Sequence, residues 1–163
     1  MSSSAPVPVQ AIPSPASAVA AKTCSCRQPD SCPVAGRCLE SAVIYKATVT
    51  TDRGARFYIG STEQQFKRRY YNHRDSLSNR IANSSTSLSK YVWELKDNSV
   101  AFSIKWNIIK HSIPYRCGTR TCDLCLSEKL CILESDPKIC INRNSDLMQK
   151  CRHSLKFKLA KVP

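Results

Sequence analysis

Tyr45 and Tyr58, each in a short β-like segment, are followed by Arg69 and by His73 four residues beyond it. Together they offer two phenols, a guanidinium that can clamp a phosphate through two N–H groups, and an imidazole that can handle a proton. The chemistry that would use all four is cleavage of a phosphodiester. Taken singly, each is equally an ordinary core aromatic or a solvated cation; the ordered set is what points to a site. A fifth group lies further on. Within residues 121–134, Leu124, Cys125, Cys131 and Ile132 surround Glu128 at helical spacing, and a carboxylate on an apolar stripe is costly unless a cation or donors satisfy it. Glu128 is therefore the best candidate for an acid that ligates a metal. The plainer alternative is a Glu128–Lys129 surface pair.

Those side chains need elements to hold them. Residues 43–51 alternate Val43, Tyr45, Ala47 and Val49 against Ile44, Lys46 and Thr48, the period of a strand. Residues 56–59 read as a second strand, and Asp52-Arg53-Gly54-Ala55 between them is a turn sequence. With Arg53-Gly54 as the two-residue loop, Tyr58 falls opposite Val49 and both phenols look to one side. Residues 63–80 carry Phe66, Tyr70, His73 and Leu77 at helical spacing, which makes Arg69 and His73 neighbours at i and i+4. Ser87 caps another helix through Tyr91, Val92 and Leu95, with Lys90 where a capping box would have an acid. Residues 101–111 place Phe102, Ile104, Trp106 and Ile108 on one face of a third strand. Residues 79–87 read as a polar loop, and Pro114 with residues 115–121 breaks the chain before the Glu128 helix.

The order Val43-Ile44-Tyr45, Tyr58-Ile59-Gly60, Arg69, His73 and Glu128 resembles the GIY-YIG endonuclease family. The resemblance covers about residues 41–147. It departs from the usual pattern at Val43, where glycine is usual, and in an interval from Gly60 to Arg69 one residue longer than in the commonest members. It implies an α+β fold, a small three-stranded antiparallel sheet flanked by helices, that hydrolyses DNA with one divalent ion. On the matching positions Glu128 would hold Mg²⁺ or Mn²⁺, which polarises a non-bridging oxygen and steadies the leaving oxygen. Tyr45 would take the proton of the attacking water, with a phenol pKa well below its free value of about 10. Arg69, with Arg68, would supply that field and clamp the phosphate. Tyr58 would orient water or phosphate, His73 would position Tyr45 or shuttle its proton, and Asn142, after Cys140-Ile141, would match the family's asparagine. Cysteine clusters before and after such a core, in a short basic chain, are similar to the endonuclease domains of retrotransposons, notably Penelope-like elements. That similarity implies nicking of target DNA for a reverse transcriptase that this chain has no room to contain.

Charge agrees with a nucleic-acid partner. Twenty-five Lys and Arg against twelve Asp and Glu leave a net charge of +13, and so basic a chain attracts phosphates whatever else it does. Lys67, Arg68, Arg69, Arg74 and Arg80 ride the first helix, Lys105 and Lys110 the third strand, and Lys150, Arg152, Lys156, Lys158 and Lys161 the C-terminal residues. Charge alone says phosphates and does not say nuclease.

The ten cysteines fall into clusters. Residues 1–22 are Ser, Ala and Pro with little charge, too poor in large apolar groups to fold and without the basic and apolar blocks of a signal peptide. No apolar run is long enough to span a bilayer. A reducing, nuclear location is therefore expected, where clustered cysteines read as metal ligands rather than disulfides. Cys24, Cys26, Cys32 and Cys38 lie in a short polar stretch, residues 23–40, that four thiolates around Zn²⁺ would order; a free segment is the alternative. Cys122 and Cys125 open the Glu128 helix, and Cys151 with His153 would complete a second Zn²⁺ site, Cys117 competing with either for a place. Cys131 and Cys140 read as small core residues. The chain thus divides into 1–22, unfolded; 23–40, zinc-binding; 41–147, the nuclease-like domain; and 148–163, a basic segment with zinc ligands. The expected function is a metal-dependent, double-strand-binding DNA endonuclease; the alternative is a zinc-stapled nucleic-acid-binding module without catalysis.

Overall fold

The computed structural model describes residues 22–81 and 86–153. The expectation for residues 1–22 therefore falls almost wholly outside the described residues, as do Lys156, Lys158 and Lys161 and the middle of the 79–87 loop. Element order is β1 (Val43–Thr51), β2 (Gly54–Thr62), α1 (Phe66–Ser78), α2 (Ser87–Asp97), β3 (Ser103–His111), α3 (Asp123–Leu133) and the short α4 (Asn144–Met148). The strands form one antiparallel sheet in the order β2-β1-β3, the small flanked sheet expected for an α+β domain. Among the described residues no helix is long and apolar enough to cross a membrane.

Strand β1 is central, and its first residues are buried on both faces, which is why Val43-Ile44-Tyr45 is an unbroken apolar run. Val43, Tyr45, Ala47 and Val49 join Tyr58 and Trp106 on one side, where Phe66 of α1 and Leu88 and Val92 of α2 pack. Ile44 and Ile59 face the other side, against Leu124 and Ile132 of α3. Cys140 is buried there too and Cys131 packs at its margin, the core roles expected of them.

The hairpin register differs from the expected one. Thr51 pairs with Gly54, so the two-residue loop is Asp52-Arg53, and Tyr58 faces Ala47 instead of Val49. Thr51 Oγ1 decides this locally: it accepts from Arg53 N–H at 3.3 Å and donates to Gly54 O at 3.1 Å. Gly54 takes a φ of +126°, which favours glycine. The shift moves Tyr58's partner by two residues, and because side chains alternate with period two, both phenols keep the same face.

Helix boundaries also move. α1 begins at Phe66, where its first free N–H groups find the carbonyls of the cysteine-rich segment: Phe66 N–H donates to Glu40 O at 2.8 Å and Lys67 N–H to Cys38 O at 2.7 Å. α2 is capped by Thr86 and not Ser87. Thr86 Oγ1 accepts from Ser89 N–H at 3.1 Å while Ser89 Oγ accepts from Thr86 N–H at 3.3 Å, a capping box with serine in the acid's place.

Strand β2 would be an open edge, but the chain after α3 returns to cover part of it. Phe57 N–H donates to Ile139 O at 2.9 Å, and Ile141 N–H donates to Phe57 O at 2.7 Å, a short parallel pairing. The Asn142 side chain continues the ladder by one step. Its Oδ1 accepts from Ile59 N–H at 2.8 Å and its Nδ2 donates to Ile59 O at 2.9 Å.

Candidate functional site

The site is built around Tyr45, whose side chain is fully buried. Tyr45 pairs with Gly60 across the β1–β2 hairpin, and its ring lies over that glycine. A Cβ at position 60 would stand 2.6 Å from Tyr45 Cζ and 2.9 Å from Tyr58 Cε1, so the third residue of Tyr58-Ile59-Gly60 has to be glycine for the phenol to lie there. Sequence reasoning treated Gly60 only as part of a motif.

Two consecutive turns of α1 reach the phenol. Arg69 Nε donates to Tyr45 Oη at 3.0 Å, and His73 Nε2 lies 2.7 Å from the same oxygen. A guanidinium can only donate, so Tyr45 Oη accepts from Arg69; with His73 neutral, its Nε2 accepts the phenol proton in one tautomer and donates to Oη in the other. Electrostatics agree: burial, then the charge of Arg69, lowers the His73 pKa to about 3. Arg69 stays charged, its pKa raised chiefly by Tyr45 with burial opposing.

The depressed phenol expected of Tyr45 is not found. Burial raises its pKa, and the opposing pull of Arg69 is the smaller effect. Tyr58 lies higher still, again through burial and then the neighbouring Tyr45. It is Tyr58 that lines the open cleft beside Arg69. In the free protein Tyr45 is bonded to Arg69 and His73 and does not line the cleft, whereas Tyr58, though largely buried, contributes to its wall.

Glu128 comes from the other side of the sheet. Ser61, next after Gly60 on β2, turns its side chain toward α3, and its Oγ donates to Glu128 Oε2 at 2.6 Å. Burial raises the Glu128 pKa, opposed by the Ser61 hydrogen bond and by Arg69. Arg69 and Glu128 thus meet around the β2 edge, just past the stretch that Asn142 covers. They line a cleft of about 510 Å³ with Tyr58, Lys129, Lys150 and Arg152 among its other walls. Asp146, also in the wall, was missed by sequence reasoning; it accepts from Ser87 Oγ at 2.8 Å and Arg143 N–H at 2.9 Å and anchors α4. Arg68 is exposed and does not line the cleft. Both ends of the Asn142 amide are engaged by the backbone of Ile59, which places this residue in the cover of the β2 edge.

Two ligand clusters flank this cleft's helices. Zn–S bonds of about 2.3 Å and Zn–N bonds of about 2.05 Å give tetrahedral edges of about 3.8 Å between sulfurs and about 3.5 Å between sulfur and nitrogen. In the first cluster, Cys24, Cys26, Cys32 and Cys38, the Cys26–Cys38 and Cys24–Cys38 sulfurs are 3.8 and 3.6 Å apart. In the second, Cys122, Cys125, Cys151 and His153, Nδ1 of His153 lies 3.5, 3.2 and 3.6 Å from the three sulfurs in turn. Both sets can chelate a metal, and both fit Zn²⁺. Cys117 is exposed and lies outside either set, so the four groups brought together are Cys122, Cys125, Cys151 and His153. Cys125 and His153 also line the cleft, so the second cluster is part of its wall.

Comparison of the chain with protein-family models, with curated proteins and with solved structures finds no match. The side chains and their geometry carry the functional reading. They define a small α+β domain with two metal-chelating clusters and a basic cleft whose wall includes the second of them.

Proposed function

We propose that the chain is a zinc-stapled DNA endonuclease of the GIY-YIG type, nicking double-stranded DNA with Mg²⁺ or Mn²⁺. The observation that carries this reading is the meeting of Arg69, locked by a tyrosine–histidine pair, with the half-buried Glu128 at one open strand edge. Arg69 commits its Nε to Tyr45, and its terminal N–H donors are there for a phosphate in the cleft. Tyr58 hydrogen-bonds the attacking water or the phosphate. Glu128 would hold the divalent ion, which as a Lewis acid stabilises charge on the phosphoryl oxygens; a single carboxylate suits Mg²⁺, which keeps several waters and takes substrate oxygens. The water's proton would pass to the Tyr45–His73 pair as its oxygen bonds to phosphorus and the bond from phosphorus to the leaving sugar oxygen breaks, that oxygen taking a proton from solvent. In the tautomer protonated on Nδ1, His73 Nε2 accepts the phenol proton, and a phosphate beside Arg69 offsets the charge that, after burial, holds the imidazole neutral. This requires the substrate to open the phenol to the cleft. A nuclear site of action, and a reverse transcriptase as partner, follow from that substrate and from the retroelement resemblance.

A second reading has observations of its own. No metal-chelating group of three includes Glu128 among the described residues, and both cysteine clusters serve a binding module that cuts nothing. Nicking of supercoiled plasmid by zinc-replete protein with added Mg²⁺ or Mn²⁺, beside Glu128→Ala, separates the two. Nicked circles from the parent alone establish the nuclease. Binding without cutting by either establishes the module, and equal cutting by both removes Glu128 from the chemistry.

A further inference from the structure

A second groove, of about 690 Å³, runs between the first cysteine cluster and α1. The cleavage reading gives it no task. Its charged lining is Arg27, Lys67 and Arg74, with no acid, and Tyr70 and Tyr71 form part of its wall. Lys67, Tyr70, Tyr71 and Arg74 recur at i, i+3, i+4 and i+7, so one face of α1 supplies them. At about 100° per residue that face is turned roughly 150° from Arg69, so α1 serves the cleft on one side and the groove on the other. The parts are fixed in place. Lys67 Nζ donates to Ser25 O at 2.9 Å and to Ser25 Oγ at 2.8 Å, tying the cluster to the helix. The Arg74 guanidinium sits 4.7 Å over the Tyr71 ring, and that ring is 40 % exposed. Arg27 and Arg74 are both exposed.

We propose that this groove binds the phosphate backbone of the nucleic acid on the flank of the cleft, Arg27 and Arg74 each neutralising one phosphate. The proposal rests on the nucleic-acid reading above and adds a substrate contact to it. Three cations outweigh the double negative charge of a zinc-loaded cluster whose Cys26 and Cys38 are in the lining, which favours a polyanion, and aromatic rings beside them suit the sugar and base faces that accompany a phosphate. A helix is about 10–12 Å thick, the length of three to four base steps at about 3.4 Å, so one strand can reach from Arg69 around α1. The competing role for the cations is local: four thiolates on one Zn²⁺ leave a double negative charge that they could balance.

The test is the salt dependence of binding. Zinc-replete full-length protein is titrated against a short labelled duplex at several salt concentrations, with Ca²⁺ replacing Mg²⁺ to suppress cutting. Each lost phosphate contact flattens the slope of log K against log salt by about 0.9, so Arg27→Gln/Arg74→Gln should lose about 1.8, and either single variant about half of that. Zinc content equal to the parent's shows that the cluster is intact; if the double variant loses zinc, the single variants decide. An unchanged slope overturns the proposal and leaves the cations with the thiolates. Release of poly-glutamate by the variant with an unchanged duplex slope would assign the groove to an acidic protein segment and also overturn it. Failure of plasmid nicking alone would remove the nuclease and leave the slope difference standing.

Discussion

Replacing Gly60 by alanine should damage both stability and cutting, because of where the Tyr45 ring lies. The new Cβ would sit 2.6 Å from Tyr45 Cζ, against an ordinary carbon contact of about 3.5–4.0 Å. The phenol must retreat by about 1 Å, and its 2.7 and 3.0 Å bonds to His73 and Arg69 then pass out of hydrogen-bond range. Overpacking of this kind costs about 1–3 kcal/mol, and two buried hydrogen bonds, one to a charged group, add about 2–4 kcal/mol. The expected total is about 3–7 kcal/mol, a large part of the stability of a domain this size. Urea unfolding of parent and Gly60→Ala reads it directly, and on the proposed function plasmid nicking under native conditions should fall about 100-fold once loss of its phenol partner lets Arg69 shift by about 1 Å. The same substitution in a Tyr45→Phe background should cost about 2–4 kcal/mol less, since the hydrogen bonds are already gone. An alanine variant as stable and as active as the parent, or strictly additive costs, would refute the placement of the phenol.

Protein purified with zinc should carry two zinc ions per chain; Cys38→Ala and Cys151→Ala should each lower that to one, whereas Cys117→Ala should leave it at two, read by metal analysis. Acid sensitivity should track His73. Its folded pKa is about 3 against an ordinary value of 6.5, so between those values the unfolded chain binds the extra proton and stability falls as pH falls, by up to about 1.4 kcal/mol per unit. Glu128, with a raised carboxyl pKa, works in the opposite sense, and the zinc thiolates are common to both proteins compared. His73→Gln should therefore have a flatter acid limb than the parent in urea midpoints between pH 6.5 and 4; parallel limbs would show that His73 is not held neutral.

Which face a side chain takes was legible in the sequence, and what it touches was not. Period two put Tyr45 and Tyr58 on one side even though the loop was placed one residue late, because the resulting two-residue change of partner preserves the face. The choice between Arg53-Gly54 and Asp52-Arg53 lay with Thr51 Oγ1, a hydroxyl outside the turn itself. Spacing joined Arg69 to His73, which belong to one helix, but their shared partner Tyr45 and its dependence on Gly60 arise only once two strands pair. Glu128 was found through the cost of a carboxylate on an apolar stripe, and Ser61 is the donor that part of the cost implied. Asn142 was assigned by motif alone, and its geometry gives it to the backbone of Ile59. Tyr45's titration failed for a similar reason: resemblance carries a role, whereas the degree of burial that opposes the role comes from packing.

The cover over β2 has a consequence for how the molecule reaches this state. β1 and β2 are adjacent in the chain and close through a two-residue loop, whereas Asn142 and Ile59 are 83 residues apart. Local pairing outruns closure of so long a loop, so a bare strand edge persists until the chain after α3 arrives. During that interval a second molecule can dock in the place reserved for Ile139–Ile141, which makes refolding yield fall with protein concentration. Asn142→Leu removes the side-chain step of the cover and should steepen that fall, while the zinc ligands of the same segment, once loaded, shorten the wait by tethering it to α3.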